Sequence, residues 1–458
     1  MPHSSVLNRR RFIKTLAVAS VATASGCDAE RPATVVDLPA FTDDPDRRSL
    51  TFPYGVQAGS MAGTSVILWG YCADSDAARL LVWREEDRPE YAVLDQWVES
   101  ESGYLKVRVT DLALEQVYRF GWLSETQTWS DIGRFRTVDR AETLRPLLIG
   151  ATACTSAGRA PFPSLLTLAT LPLDLFCHLG DMSYNDGAST RDEFRTAWGL
   201  TLKNEQYRQL LSSVGSYQTW DDHEVANNDE LLDIDPVIRQ IGIDAFFEST
   251  PTQRGSNGSL WTSYTWGKTA EFFVLDCRHE RTPAEDRYMS VAQMNWLKSA
   301  LAESDCHFKV ILNSVPIAEL PSVWFAENER WQGFPDQRDE LLNFITDSPI
   351  RNVWFLSGDF HMGAVWRVEK TGLRRNIWEI LCGPGGSKKS ARYELASSDP
   401  ALFERFFEAE QVEYSSGDWA ATTLNFDPIT DSVTVTFIDS NTGEITYRGV
   451  LKQPNSSE

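Results

Sequence analysis

Val353-Trp354-Phe355-Leu356-Ser357-Gly358-Asp359-Phe360-His361-Met362-Gly363 reads as a buried strand that ends in chemistry. A short, continuous apolar run fits a strand covered on both faces, as in layered α/β proteins. Gly358 and Gly363 let the backbone come close to a neighbour. Asp359 and His361, at i and i+2, point the same way if the segment stays extended. An Asp-x-His pair is weakly diagnostic alone, but three other apolar runs end in a similar manner. Leu147 to Ala153 runs into Cys154. Asp174 to Leu179 runs into Gly180-Asp181-Met182-Ser183-Tyr184. Tyr217 to Trp220 runs into Asp221-Asp222-His223-Glu224-Val225-Ala226-Asn227-Asn228. Layered α/β folds place their sites beyond the C-terminal ends of strands.

Each piece has a bland alternative. A cysteine ending a strand is usually a small buried apolar group. A carboxylate leaving a buried strand needs a partner, because an unpaired buried charge is costly. For Asp181 that partner is a metal or the start of the next helix. Tyr184 is a core residue or a phenolate ligand. Asp221 and Asp222 repel each other unless a cation or an arginine sits between them. Together these residues supply hard oxygens, imidazoles and one thiolate, a donor set for a pair of hard or borderline cations. Two such cations suit in-line displacement at phosphorus. A nearby histidine can protonate the leaving oxygen.

The rest of the chain is consistent with this. Its 458 residues are 42% hydrophobic and 24% charged, ordinary globular usage that excludes a disordered or fibrous chain. The net charge of −22 disfavours nucleic acid and anionic lipid and favours cations. The seven cysteines form no CxxC pair. Residues 1–27 read as an export signal. Arg9-Arg10-Arg11-Phe12-Ile13-Lys14 resembles a twin-arginine motif, an apolar run follows, and Ala24-Ser25-Gly26-Cys27 resembles a lipoprotein processing site. Export in the folded state would let metal be loaded and thiols stay reduced before transit. Residues 28–48 read as a linker. Residues 49–140 carry short β-rich runs at 65–69, 78–83, 104–109, 117–120 and 134–137, the pattern of a small antiparallel β-sandwich with nothing catalytic in it. Residues 145–458 interleave strands and helices, the pattern of a layered α/β catalytic domain. Gly383-Pro384-Gly385-Gly386-Ser387-Lys388-Lys389 lacks P-loop spacing and reads as a mobile loop near the site, with supply of cations to a substrate as the lesser alternative. His279 and His307 read as turn or edge residues.

Four motifs in this order, GDxxY (Gly180 to Tyr184), WDDHE (Trp220 to Glu224), LDxR (Leu275 to Arg278) and SGDxHxG (Ser357 to Gly363), resemble those of the PhoD-type alkaline phosphatases, a branch of the calcineurin-like metallophosphoesterases. The resemblance implies an αββα sandwich preceded by the small β-sandwich. It implies an exported phosphatase that hydrolyses phosphomonoesters, and diesters as a second class, by attack of a metal-bound hydroxide. Fe3+ and Ca2+ are the implied metals. Asp181 would bridge them, Cys154, Tyr184 and His361 would hold iron, and Asp222 and Asp359 would hold the second metal. His223 would be the catalytic acid. Asp221, Asn227, Asn228 and Arg278 are further candidates for metal or phosphate, with Arg278 favoured as a carboxylate partner. The implied partners are small phosphate esters, with no nucleic acid, contact with a membrane only through a lipid anchor, and a monomeric, periplasmic or membrane-anchored protein. The competing readings are a phosphodiesterase or phospholipase-like hydrolase with the same metals, and a non-catalytic surface lipoprotein that binds a ligand.

Overall fold

The computed structural model describes residues 17–20, 38–39 and 45–453, apart from 229, 256, 325, 327, 408 and 409. The twin-arginine stretch and Cys27 lie outside the described residues. Ala17–Ser20, the described part of that segment, pairs in parallel with Tyr104–Thr110.

Two sheets face each other. One has ten strands, in the order Ala17–Ser20, Tyr104–Thr110, Ser65–Tyr71, Val56–Ala62, Ser216–Thr219, Leu175–Leu179, Leu147–Thr152, Ala420–Asp427, Ser432–Asp439 and Ile445–Leu451. The other has seven, in the order Thr262–Trp266, Ala270–Val274, Phe308–Leu312, Val353–Ser357, Trp378–Leu381, Gly363–Arg367 and Val412–Ser416. The central strands of both sheets run parallel, so their C-terminal ends meet at one edge of the sandwich. Strand periodicity divides their side chains between two cores. Val310, Leu312, Trp354 and Leu356 pack between the sheets with Ile149, Ala151 and Cys177. Ile311, Val353 and Phe355 pack outward against Leu297 and Leu301 of helix Val291–Glu303 and Leu341 and Leu342 of helix Pro335–Asp347. On the far side, Leu165 and Leu168 of helix Pro163–Ala169 and Leu210 and Leu211 of helix Glu205–Ser213 cover the ten-stranded sheet. The layers are therefore αββα, as the resemblance implies.

The N-terminal strands form a sandwich whose second sheet is Leu94–Glu99, Ala77–Arg84, Val117–Ser124 and Gly133–Arg136. Leu80, Phe120 and Trp122 pack there against Val66, Leu68 and Val107. Its first sheet is continuous with the ten-stranded sheet, because Val56–Ala62 pairs with Ser216–Thr219 through Gly59 and Ser216. Side chains from this region also satisfy carbonyls freed at the C-terminal end of helix Pro236–Ser249. Trp69 donates to Glu248 O at 2.7 Å, Lys106 to Phe247 O at 2.5 Å and Gln57 to Ser249 O at 3.1 Å.

Candidate metal centre

Every ligand-bearing turn begins where a buried parallel strand stops. Leu147–Thr152 delivers Cys154, Leu175–Leu179 delivers Asp181 and Tyr184, Ser216–Thr219 delivers Asp221 to His223, and Val353–Ser357 delivers Asp359 and His361. The glycines make the crowding possible. A Cβ on Gly180 would stand 2.5 Å from Asp221 Cβ, and one on Gly358 would stand 2.6 Å from Ala153 Cβ. The expectation that Asp359 and His361 share one face of an extended segment is not met. Both are left-handed, with φ of 63° and 53°, and Cys154 and Asp181 are left-handed too, each at 57°. Tight reversals after the strands, not strand alternation, turn these side chains inward. Such backbone costs about 1–3 kcal/mol per residue and concentrates at functional sites.

Three groups of potential ligand atoms lie within 4.8 Å of one another: Cys154, Asp181 and His361; Asp181, Asp222 and His223; Asp221, Asp222 and Asp359. Asp181 belongs to two of them. It is 2% exposed, and its Oδ1 has no hydrogen-bond partner. Its Oδ2 accepts from Tyr184 at 3.2 Å and lies 3.7 Å from His361 Nε2. Tyr184 Oη is 3.4 Å from the same imidazole nitrogen. Thiol, phenol, imidazole and carboxylate thus converge on one point. Burial, and then the Asp181 carboxylate, push both the Cys154 thiol and the Tyr184 phenol well above their ordinary values. Only a cation in their midst would make these groups anionic ligands. The buried, unpartnered Asp181 oxygen and this donor set fit a metal.

The opposite side is built on Arg278. Its guanidinium is 1% exposed and grips both oxygens of Asp221, with Nη2 3.0 Å from Oδ2. It also reaches Asp359 Oδ1 at 3.0 Å, Glu329 Oε2 at 2.6 Å and Asp222 Oδ1 at 3.4 Å. Despite burial, which raises it, Asp222 is held down at about 2 by Arg278, His223 and the backbone N–H of Asn228. That N–H donates to Asp222 Oδ2 at 2.5 Å, while the Asn228 side chain donates to Asn227 Oδ1 at 2.9 Å. The two asparagines therefore brace Asp222 at the rim, with Asn227 half-buried and Asn228 exposed.

His223 faces the centre from the other side. Its Nδ1 pairs with both oxygens of Asp186, at 2.8 and 2.9 Å, and its ring lies over Tyr184 with centroids 4.1 Å apart. Burial lowers its pKa, but Asp181, Asp186 and Asp222 outweigh that and raise it to about 10. The imidazolium is therefore a ready proton donor, and cations bound on Asp181 and Asp222 would bring its pKa down.

Several functional groups carried no sequence signal. Asp186 sits in a turn with no spacing relation to His223. Glu224 lies inside the WDDHE motif, yet its role is structural. Its buried carboxylate accepts from the backbone N–H groups of Met182 at 2.6 Å, Asp221 at 2.8 Å and Asp181 at 3.2 Å, which locks two ligand turns together. The loop at 383–389 does adjoin the site. Gly385 N donates to Ala153 O at 2.9 Å, and just beyond the loop Ser390 N donates to His361 O at 3.1 Å.

A sequence profile of the PhoD-like phosphatase family matches residues 149–427. Alkaline phosphatase D of Bacillus subtilis (strain 168) is 24% identical over 388 residues, covering 69% of this chain and 65% of that protein. The chain thus spans just under two thirds of that relative's length. A solved structure of PhoD superposes with a TM-score of 0.74 at 17% identity, over 88% of this chain and 89% of that one. The purple acid phosphatase PPD1 from yellow lupin (Lupinus luteus) seeds superposes with a TM-score of 0.60 at 11% identity, over 87% and 74%. Both superpositions establish the αββα fold.

Proposed function

The chain belongs to the PhoD-like phosphatase family, and we propose that it is a metal-dependent hydrolase of phosphomonoesters. The observation that carries this reading is the buried Asp181, which joins two ligand groups and keeps one oxygen unpartnered. In this reading Cys154, Asp181, Tyr184 and His361 would hold iron. Asp181, Asp222 and Asp359 would hold calcium, with Asn227 or Asn228 beside them. Such cations would supply a more acidic water and counter-charge for phosphoryl oxygens. The protein's own task is geometry and protons. Glu224 and Arg278 fix the ligand turns against each other. His223, oriented by Asp186, gives its proton to the leaving oxygen. Export by the twin-arginine route, to a periplasmic or lipid-anchored location, is part of the same proposal and rests on Arg9 to Lys14 and Cys27. So does a monomeric state.

The test is an assay of the mature protein on a chromogenic phosphomonoester and the matching diester at alkaline pH, with calcium added and then chelated. Calcium-dependent turnover that favours the monoester is expected. A diester preference would replace the reading with a diesterase. No turnover on either, in protein shown to hold its metals, would overturn it. Within the same assay, His223→Ala should lower kcat by about 10²–10⁴ with metal content unchanged, the usual size of general-acid catalysis.

A further inference from the structure

On the Asp359 side of the centre, cations gather in a protein whose net charge is −22. Arg330 Nε stands 3.5 Å from Asp359 Oδ2 and has no hydrogen-bond partner. Its guanidinium carbon lies 4.2 Å from the centroid of Phe360. Phe360 stacks on Trp324 with centroids 4.6 Å apart and planes 9° apart. The Arg392 guanidinium carbon lies 5.5 Å from the Trp324 ring and within Coulomb reach of Arg330. The third cation comes from the glycine-rich loop. The chain is held at the site on both sides of Lys388: Gly385 N donates to Ala153 O at 2.9 Å, and Ser390 N donates to His361 O at 3.1 Å, which starts the helix that carries Arg392. His361 therefore anchors the start of that helix, two residues after Lys388. Lys389 pairs with Asp418 at 2.6 Å, whereas Lys388 and Arg392, both exposed, have no carboxylate partner among the described residues.

A strongly acidic surface repels anionic substrates. Arg330 and Arg392 on the stack of Phe360 and Trp324, and the exposed Lys388 on the adjoining loop, oppose that field on the Asp359 and His361 side of the centre. We propose that Arg330, Lys388 and Arg392 form an anion subsite that selects phosphate esters whose leaving group carries a second negative charge, a carboxylate or another phosphate. The proposal rests on the phosphatase reading above. Arg330 ties the subsite to Asp359, while the exposed Lys388 and Arg392 do the selecting.

The test compares substrate pairs that differ by one anionic group: 3-phosphoglycerate with glycerol 3-phosphate, and fructose 1,6-bisphosphate with fructose 6-phosphate. Each partly exposed charge pair is worth roughly a factor of three, and two together about tenfold. The wild-type protein should favour the more anionic member about tenfold in kcat/KM, through KM, and less so at high salt. A preference confined to the first pair assigns a carboxylate site, and one confined to the second a phosphate site. The double variant K388A/R392A should bring the preference within about twofold and leave glycerol 3-phosphate kinetics unchanged, while K388R/R392K should keep it. No preference in the wild type, or equal loss on both members, would overturn the proposal. If no ester is hydrolysed, the phosphatase reading fails. Calorimetric Kd values for the same compounds on the metal-loaded protein then decide the subsite: a tenfold ratio abolished by the double variant upholds it, and a ratio of one overturns it.

Discussion

The two sides of the centre both bury groups that would carry negative charge and meet the cost in different ways. Around Asp221, Asp222 and Asp359 the counter-charge is part of the chain: Arg278 reaches all three and Glu329 besides. Around Cys154, Asp181, Tyr184 and His361 no arginine intervenes among the described ion pairs, and Asp181 keeps an oxygen unpartnered. Proximity of acids is therefore a poor criterion for a metal. Asp221, with both oxygens on Arg278, already has its cation. Asp181, Cys154 and Tyr184 lack one. Asp222 and Asp359 stand between, sharing Arg278 while facing the gap.

The sharpest way to break this comparison is Arg278→Ala. Removing one partner from a buried charge cluster leaves uncompensated carboxylates and costs about 3–5 kcal/mol. Urea unfolding of the variant should show that loss, and added calcium should not restore it. A loss below about 1 kcal/mol, or full rescue by calcium, would mean that Asp221 too is served by a bound cation and does not depend on Arg278. Cys154→Ala probes the other side, where metal content should respond more than stability. Loss of a ligand should weaken that metal by at least the roughly 100-fold, or about 2.7 kcal/mol, that loss of a group supporting a ligand can cost, and abolish any thiolate-to-iron colour, with the second metal retained. An unchanged visible spectrum and metal stoichiometry would make Cys154 a packing residue.

What the sequence exposes and what it hides follow from the same physics. Buried parallel strands are continuous apolar runs, so the four strand ends and the residues beyond them stand out in the bare sequence. Val56–Ala62, the strand that joins the sandwich to the catalytic sheet, does not. Its Ala58-Gly59-Ser60 centre has no β-branched or aromatic character, and while it pairs along its length with the adjacent Ser65–Tyr71, its link to the catalytic sheet is Ser216, far away in the chain. The helices Ala391–Ala396 and Pro400–Phe406, and the strand Val412–Ser416 beyond them, are only five to seven residues long, too short for a clear periodicity, so tertiary packing around Trp324 and Phe360 decides them. His279 reads as a turn residue, yet its ring packs edge-on against Trp220 at 4.6 Å and its nitrogens are buried. Pairings such as His223 with Asp186 join residues 37 apart in sequence, and nothing local announces them.

That pairing gives the smallest effect and the one with a definite sign. His223 is raised to about 10 in the folded chain because neighbouring carboxylates outweigh burial. As a proton donor it works in its charged form, so the rate should fall as pH rises through its pKa. Cations on Asp181 and Asp222 offset two of those carboxylates and leave Asp186, which ligates nothing. Asp186→Asn should therefore move the alkaline limb of the kcat profile to lower pH, by about one unit, equivalent to about 1.4 kcal/mol. The partial exposure of Asp186 keeps the shift from being larger. The acid limb should stay in place, since it reports other groups. Were the alkaline limb unmoved, either His223 would not be the acid or Asp186 would not be what holds its proton, and His223→Ala in the same assay would separate the two.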